Sequence, residues 1–227
     1  MKNIYRFLCL LIFQSTAAEA QKISLSAYVG SVVLHAIRPA NGIVFGHTPS
    51  APELRIAATC KADVVELRSG LNLTRNEMTG KSKNTPTLHD YYNIRFVSIR
   101  MPLNVQYNIP LKNHPLSVFG GPYLGYTVYG RNITYSKGEQ PNPDITGVTE
   151  QKIHWGNKPG QTNPMDFGIQ IGAEYEFARL LAMNVQYSQS FQNVNVGPKI
   201  RFNYQSFHAG IAVKLWQPKT TLAYPRR

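Results

Sequence analysis

Cysteine, acidic side chains and long apolar runs are what this chain has least of. It holds 2 cysteines in 227 residues, Cys9 and Cys60, and Cys9 lies inside the apolar stretch near the N-terminus. If that stretch is removed on export, Cys60 alone remains. An intramolecular disulfide is then excluded, and no thiol pair is left for metal or redox chemistry. After the N-terminal region, no segment approaches the ~20 consecutive apolar residues that a spanning helix needs. Acids are outnumbered two to one, 12 Asp and Glu against 24 Lys and Arg, for a net charge of +12. Such an excess can favour nucleic acid or an anionic surface. Here the cations are scattered through strands and loops with no dense run, so nucleic acid is not expected as a partner. His35, His47, His89, His114 and His154 lack ligand spacing, and no glycine cluster precedes a helix to cradle phosphate, so neither a metal nor a cofactor is expected.

The N-terminus supplies an address. Lys2 and Arg6 precede an apolar stretch from Phe7 to Phe13, and Ala18-Glu19-Ala20 forms a small-residue cleavage site before Gln21. This is the layout of a secretory signal peptide over residues 1–20. Cleavage removes Lys2, Arg6 and Glu19, so 24 basic and 12 acidic residues become 22 and 11 and the excess stays at +11. In an exported chain, anionic lipid or lipopolysaccharide is the natural counter-charge.

Alternation is what the chain has in abundance. From Asp166 to Phe177 it is unbroken: Phe167, Ile169, Ile171, Ala173, Tyr175 and Phe177 are apolar, and Asp166, Gly168, Gln170, Gly172, Glu174 and Glu176 are polar or minimal. Successive strand side chains point to opposite faces, so this is one strand with a greasy and a polar side. After Ala178-Arg179-Leu180 the pattern resumes at Leu181, Met183, Val185 and Tyr187, which predicts an antiparallel hairpin. Strands are predicted at 23–35, 53–62, 64–75, 93–109, 116–130, 165–177, 181–193 and 201–216. The connections alternate in length. Ala36–Pro52, Asn76–Tyr92 and Arg131–Pro164 are long, and those near Asp63, Pro110–Pro115 and Ala178–Leu180 are short. Outer-membrane barrels sort their connections this way. The expected fold is an all-β, eight-stranded antiparallel up-and-down transmembrane β-barrel with long extracellular loops and short periplasmic turns. It would occupy residues 21–216, with a polar tail at 217–227, in an outer membrane of Gram-negative type. Periodicity does not distinguish inside from outside, and an exported soluble barrel of the lipocalin sort would show the same alternation reversed.

The fourth strand sets Val97, Ile99, Met101, Leu103, Val105, Tyr107 and Ile109 against Phe96, Ser98, Arg100, Pro102, Asn104 and Gln106. The fifth sets Leu116, Val118, Leu124, Tyr126 and Val128 against Phe119, Tyr123, Thr127 and Tyr129. In the last strand His208, Gly210, Val213 and Leu215 fit the pattern polar, any, Gly, any, any, apolar, any, apolar. That pattern resembles the terminal signal read by the outer-membrane assembly machinery, and Trp216 follows where an aromatic girdle would lie.

The chain resembles the PorT-like family of small outer-membrane barrels. The resemblance rests on the exported N-terminus, Ile99-Arg100-Met101-Pro102-Leu103, Gly120-Gly121-Pro122-Tyr123-Leu124-Gly125-Tyr126, the strand from Asp166-Phe167-Gly168 to Glu174, and the closing Ile211 to Leu215. It covers most of residues 92–216. It implies an outer-membrane barrel with a structural or interaction role, such as an accessory of an envelope or secretion assembly, and no enzymatic activity.

Within an eight-stranded barrel there is room for little more than its own side chains. Glu66, Arg68, Arg100, Glu174, Glu176 and Lys214 are expected to form an interior network of paired charges; the alternative is a narrow solute path. Ser206 and His208, two apart on one face, could belong to a hydrolytic site acting on lipid or lipopolysaccharide if Glu174 or Glu176 supplied an acid. Facing the lumen, they are expected instead to be interior polar groups, and no catalytic residue is assigned. Tyr135, His154 and Trp155, in the longest connection, are the candidate surface for an envelope protein partner; packing of Trp155 over the barrel mouth is the equal alternative.

Overall fold

The computed structural model describes residues 23–37, 43–45, 50–62, 65–82, 88–109, 111, 114–138, 145–154, 156, 161, 163–192, 194–195 and 201–216. The expected signal peptide, the polar tail and Trp155 lie outside the described residues. Among the described residues eleven strands run β1 (Ile23–Ile37), β2 (Ile43–Phe45), β3 (Ala51–Ala62), β4 (Val65–Ser82), β5 (Leu88–Ile109), β6 (Leu116–Gly138), β7 (Ile145–Lys152), β8 (Met165–Ala178), β9 (Leu181–Ser190), β10 (Val194–Asn195) and β11 (Arg201–Trp216). Eight of them form the barrel in the order β1-β3-β4-β5-β6-β8-β9-β11, and β11 pairs back onto β1 to close it. Every barrel pairing is antiparallel and, apart from the closing β1–β11 pair, joins barrel strands consecutive in the chain, so the barrel is of the up-and-down kind. The three short strands lie in the connections at one end, β2 against β4, β7 against β6 and β10 against β11.

Alternation decides which face meets which environment. In β8, Phe167, Ile169 and Ile171 are exposed on the outer wall and Asp166, Gln170 and Glu174 are buried inside. The same holds for Leu54 and Ile56 against Glu53 and Arg55, for Leu71 and Leu73 against Asn72 and Thr74, and for Met101, Leu103 and Val105 against Arg100, Asn104 and Gln106. A greasy outside with a polar inside is the membrane arrangement and the reverse of a lipocalin. The outward-facing apolar row of β5 runs from Tyr107 to the half-buried Val97. That is about 33 Å along the strand and roughly 25 Å along the membrane normal at a tilt near 40°, the height of the apolar band in such barrels.

Small residues permit the closest approaches. Gly30 and Gly210 are register partners across the closing seam, and a Cβ on Gly210 would meet the backbone at Val29 and Gly30.

Two sequence expectations are corrected. Residues 76–92 and 131–164 are not loops throughout: β4 runs on to Ser82, β5 starts at Leu88, β6 runs on to Gly138, and β7 pairs with its end. Above the membrane both faces of a strand meet polar surroundings, so the apolar–polar contrast fades while backbone pairing continues. Tyr129 faces outward rather than inward. Val97 pairs with Tyr129 but Ser98 pairs with Thr127, so Val128 is an extra residue in a bulge, and the side-chain alternation slips there.

Candidate functional site: the barrel interior and the extracellular sheet

The interior is stacked in layers. At the end bearing the short turns, Lys214 from β11 pairs with Glu176 from β8. Gln106 Nε2 donates to Glu66 Oε2 at 3.0 Å, and Arg68 Nη1 reaches Glu174 Oε2 at 2.8 Å. Phe119 lies under the Arg68 guanidinium, 4.9 Å from ring centroid to Cζ.

Farther along, Arg100 is the hub. Its guanidinium donates to Tyr204 Oη at 2.9 Å and to Ser206 Oγ at 3.3 Å, and its Nε lies 3.4 Å from Asp166 Oδ2. Asp166 also accepts from Tyr204 at 2.5 Å and from Ser190 at 2.7 Å. Beside this hub, Glu53 joins Arg55 Nη2 at 3.0 Å to His208 Nδ1 at 2.9 Å, and His208 Nε2 meets Ser206 Oγ at 2.9 Å. Arg55 lies over Tyr28 at 4.6 Å and Arg100 over Tyr123 at 4.8 Å. Arg55, Arg68 and Arg100 therefore each have a carboxylate within 3.4 Å and an aromatic ring on the guanidinium face. Both contacts favour a planar, weakly hydrated cation.

Toward the opposite end the interior turns apolar. Val32, Leu34, Ala51, Met78, Ile94, Phe96 and Ile153 pack with Tyr204 into one buried cluster, and Tyr92 packs against it. Ile153 enters from the segment after β7, where its backbone N–H donates to Gly130 O at 2.9 Å.

The six expected interior charges fall into three groups: Glu176 and Lys214 pair with each other, Arg68 holds Glu174 and is bridged to Glu66 by Gln106, and Arg100 takes Asp166. Glu53 and Arg55 were missed in that set. Their strand carried a usable signal, Glu53, Arg55, Ala57 and Thr59 alternating with Leu54, Ile56 and Ala58. The acid beside Ser206 and His208 is also Glu53, not Glu174 or Glu176, because β3 lies two strands from β11 across the closing seam. Ser206, His208 and Glu53 have the connectivity of a nucleophile, base and orienting acid. Ser206, however, has no exposed surface and is bonded to Ser188 Oγ at 2.6 Å, so a substrate carbonyl has no approach to it. In the proposed assembly pattern His208 and Gly210 face the interior, and Val213 and Leu215 face outward.

Above the apolar band, β4, β5, β6 and β7 continue as a sheet. Tyr135 is half-buried on β6 and His154 is exposed just after β7. On the outer face of this sheet Arg95 Nη2 reaches Glu77 Oε1 at 2.9 Å and Arg131 Nη1 reaches Glu150 Oε1 at 2.9 Å. Partial burial opposes charge on Glu77. Hydrogen bonds from Asn93 and Arg95, with the fields of Arg95 and Arg75, outweigh it and hold the carboxyl below its ordinary value.

A closed antiparallel barrel with an apolar outer belt, a polar interior, short turns at one end and an extended sheet at the other defines an outer-membrane β-barrel protein. The sequence pattern of the family described as outer membrane protein beta-barrel domain matches residues 61–196. The chain belongs to that family, and its place is the outer membrane. No curated protein sequence matches it. Among solved structures it is similar to the Neisserial surface protein A, at 14% identity over 85% of this chain and 96% of that one with a TM-score of 0.42. It is also similar to OprG from Pseudomonas aeruginosa, at 9% identity over 86% and 96% with a TM-score of 0.45. For Ail, the attachment invasion locus protein of Yersinia pestis, the values are 7% identity over 84% and 97%, with a TM-score of 0.35. These likenesses do not extend to function.

Proposed function

We propose that this chain is a non-enzymatic component of the cell envelope. In this reading its barrel serves as an anchor, and the extracellular sheet of β4 to β7 engages an envelope protein partner. The observation that carries the reading is the contrast between the two regions. The interior is packed with paired charges and closed over by the Val32–Phe96–Ile153 cluster, whereas β7 presents Val148, Thr149, Glu150 and Gln151 exposed. An interior already filled by its own side chains favours a structural role over a solute path. In this reading the chain is an accessory of an envelope or secretion assembly. A photo-crosslinking residue at Val148 or Thr149 in living cells should yield a discrete protein adduct, and one at the lipid-facing Ile171 should not. Equal adducts from both sites, or none from β7, would contradict the partner. Lipid A deacylation or acyl transfer by the wild type, abolished in Ser206→Ala, would contradict the non-enzymatic reading.

A further inference from the structure

The pairing of the extracellular sheet brings cations together that are far apart in sequence. Glu77, Arg95, Arg131 and Lys152 are register partners on four successive strands, β4, β5, β6 and β7. All four side chains lie on the outer face, the face that below them is the lipid wall. At a strand spacing of about 4.8 Å the row is about 15 Å wide. One step lower on β4, Arg75 is exposed beside Val97. The apolar belt ends just beneath, at Leu73, Val97, Val128 and Tyr129. The cations thus sit at the height where hydrocarbon gives way to the outer-leaflet headgroups.

Charge and exposure both bear on what binds there. Arg75, Arg95, Arg131 and Lys152 face two acids, Glu77 and Glu150, which leaves two positive charges in excess. Neither Arg75 nor Lys152 has an ion-pair partner among the described residues. The two pairs that do form are partly exposed, with side-chain accessibilities of 29% and 22% for Arg95 and Glu77 and 31% and 54% for Arg131 and Glu150. Exposed pairs of this kind are weak, so an incoming phosphate can compete for their guanidinium groups. Among the described side chains of the opposite wall near the same end of the barrel, His35, Gln205 and Gln189 face outward, and Gln205 Nε2 donates to Gln189 Oε1 at 2.9 Å.

We propose that Arg75, Arg95, Arg131 and Lys152 form a binding site for the phosphates of a phosphorylated outer-leaflet lipid of the lipid A type. Its acyl chains would lie along the Leu73–Ile99–Tyr126 wall below. The inference rests on the outer-membrane placement and not on the partner proposed above. It is tested on the full-length mature protein in neutral detergent, with Arg75→Gln/Lys152→Gln as the variant because both side chains are exposed and outside the ion pairs. Native mass spectrometry would follow binding of bis-phosphorylated lipid A, fully dephosphorylated lipid A and inorganic pyrophosphate. The expected result is about tenfold weaker binding of the phosphorylated lipid by the variant, with the dephosphorylated lipid bound weakly and equally by both proteins. Gln189→Ala/Gln205→Ala on the opposite wall should bind like the wild type. The proposal is overturned if Arg75→Gln/Lys152→Gln binds the phosphorylated lipid as tightly as the wild type, or if removing the phosphates makes no difference. Pyrophosphate binding as tight as that of the lipid would overturn the lipid as the ligand.

Discussion

Glu53 Oε2 lies 2.9 Å from His208 Nδ1, a contact between strands 155 residues apart that exists only because β11 pairs back onto β1. It reports on barrel closure. With Arg55 on its other oxygen, Glu53 is a buried carboxylate held by two partners. Glu53→Ala leaves Arg55 and His208 facing an empty position, and breaking a buried pair from one side costs about 3–5 kcal/mol. Unfolding in urea, followed by loss of the heat-modifiable band, should show a destabilisation of that size. Wild-type stability in Glu53→Ala would contradict the network.

Ile171 and Gln170 are neighbours with opposite fates, 64% and 5% exposed respectively. Ile171 is central in the outward row of β8, so Ile171→Arg places a charge near the bilayer midplane at a cost of about 2–4 kcal/mol. Assembly into lipid vesicles should fall, and Ile171→Leu should assemble normally. Equal assembly of the Arg and Leu variants would mean that β8 is turned the other way.

Gly121 is a packing requirement. A Cβ there would collide with the backbone carbonyl of Leu103 on β5, and backbone cannot swing aside as a side-chain tip can. Gly121→Ala should destabilise the barrel by about 1–3 kcal/mol. Gly120 has more room, its nearest neighbour being the Gln170 carbonyl at 3.2 Å. Gly120→Ala should therefore cost less in the same unfolding assay, and the reverse order would contradict the packing.

Glu77 links pH to the extracellular sheet. Its carboxyl is held below the ordinary value of 4.5, so the charged form is favoured in the folded sheet. That contribution is fully present above the unfolded value and is lost as pH falls through the folded one. Amide exchange in β4 and β5 near Glu77 should rise below about pH 4.5 in the wild type relative to Glu77→Gln compared at each pH. Identical profiles would show that the carboxylate does not stabilise the sheet.

Where one face meets lipid and the other a polar interior, the fold is legible in the sequence. Leu71 and Leu73 against Asn72 and Thr74 announce the strand and its two faces, as do Ile169 and Ile171 against Gln170, and the export signal and sorted connections point the apolar face to lipid. Legibility fails where the contrast changes. Above the membrane Glu77 and Thr79 alternate with Asn76 and Met78, which reads as loop although it is paired strand. At Ile94, Arg95 and Phe96 the contrast inverts, because the interior there is apolar and the outside charged. Val128 breaks the period altogether. The interior partners are legible as types but not as pairs: alternation within a membrane barrel puts Arg68 and Glu174 inside, yet which acid meets which base depends on strand neighbours. Glu53 reaching His208 is the clearest example, since no local feature ties β3 to β11.

The central claim is a membrane barrel whose interior is filled by its own side chains and closed by the Val32–Phe96–Ile153 cluster. Single-channel recording in planar bilayers tests it most directly, using protein shown by its heat-modifiable band to be folded and inserted. The wild type should give no discrete, ohmic conductance steps. Regular steps from the folded wild type, with an ion selectivity that changes in Arg100→Gln, would contradict the claim and show an open path through the interior.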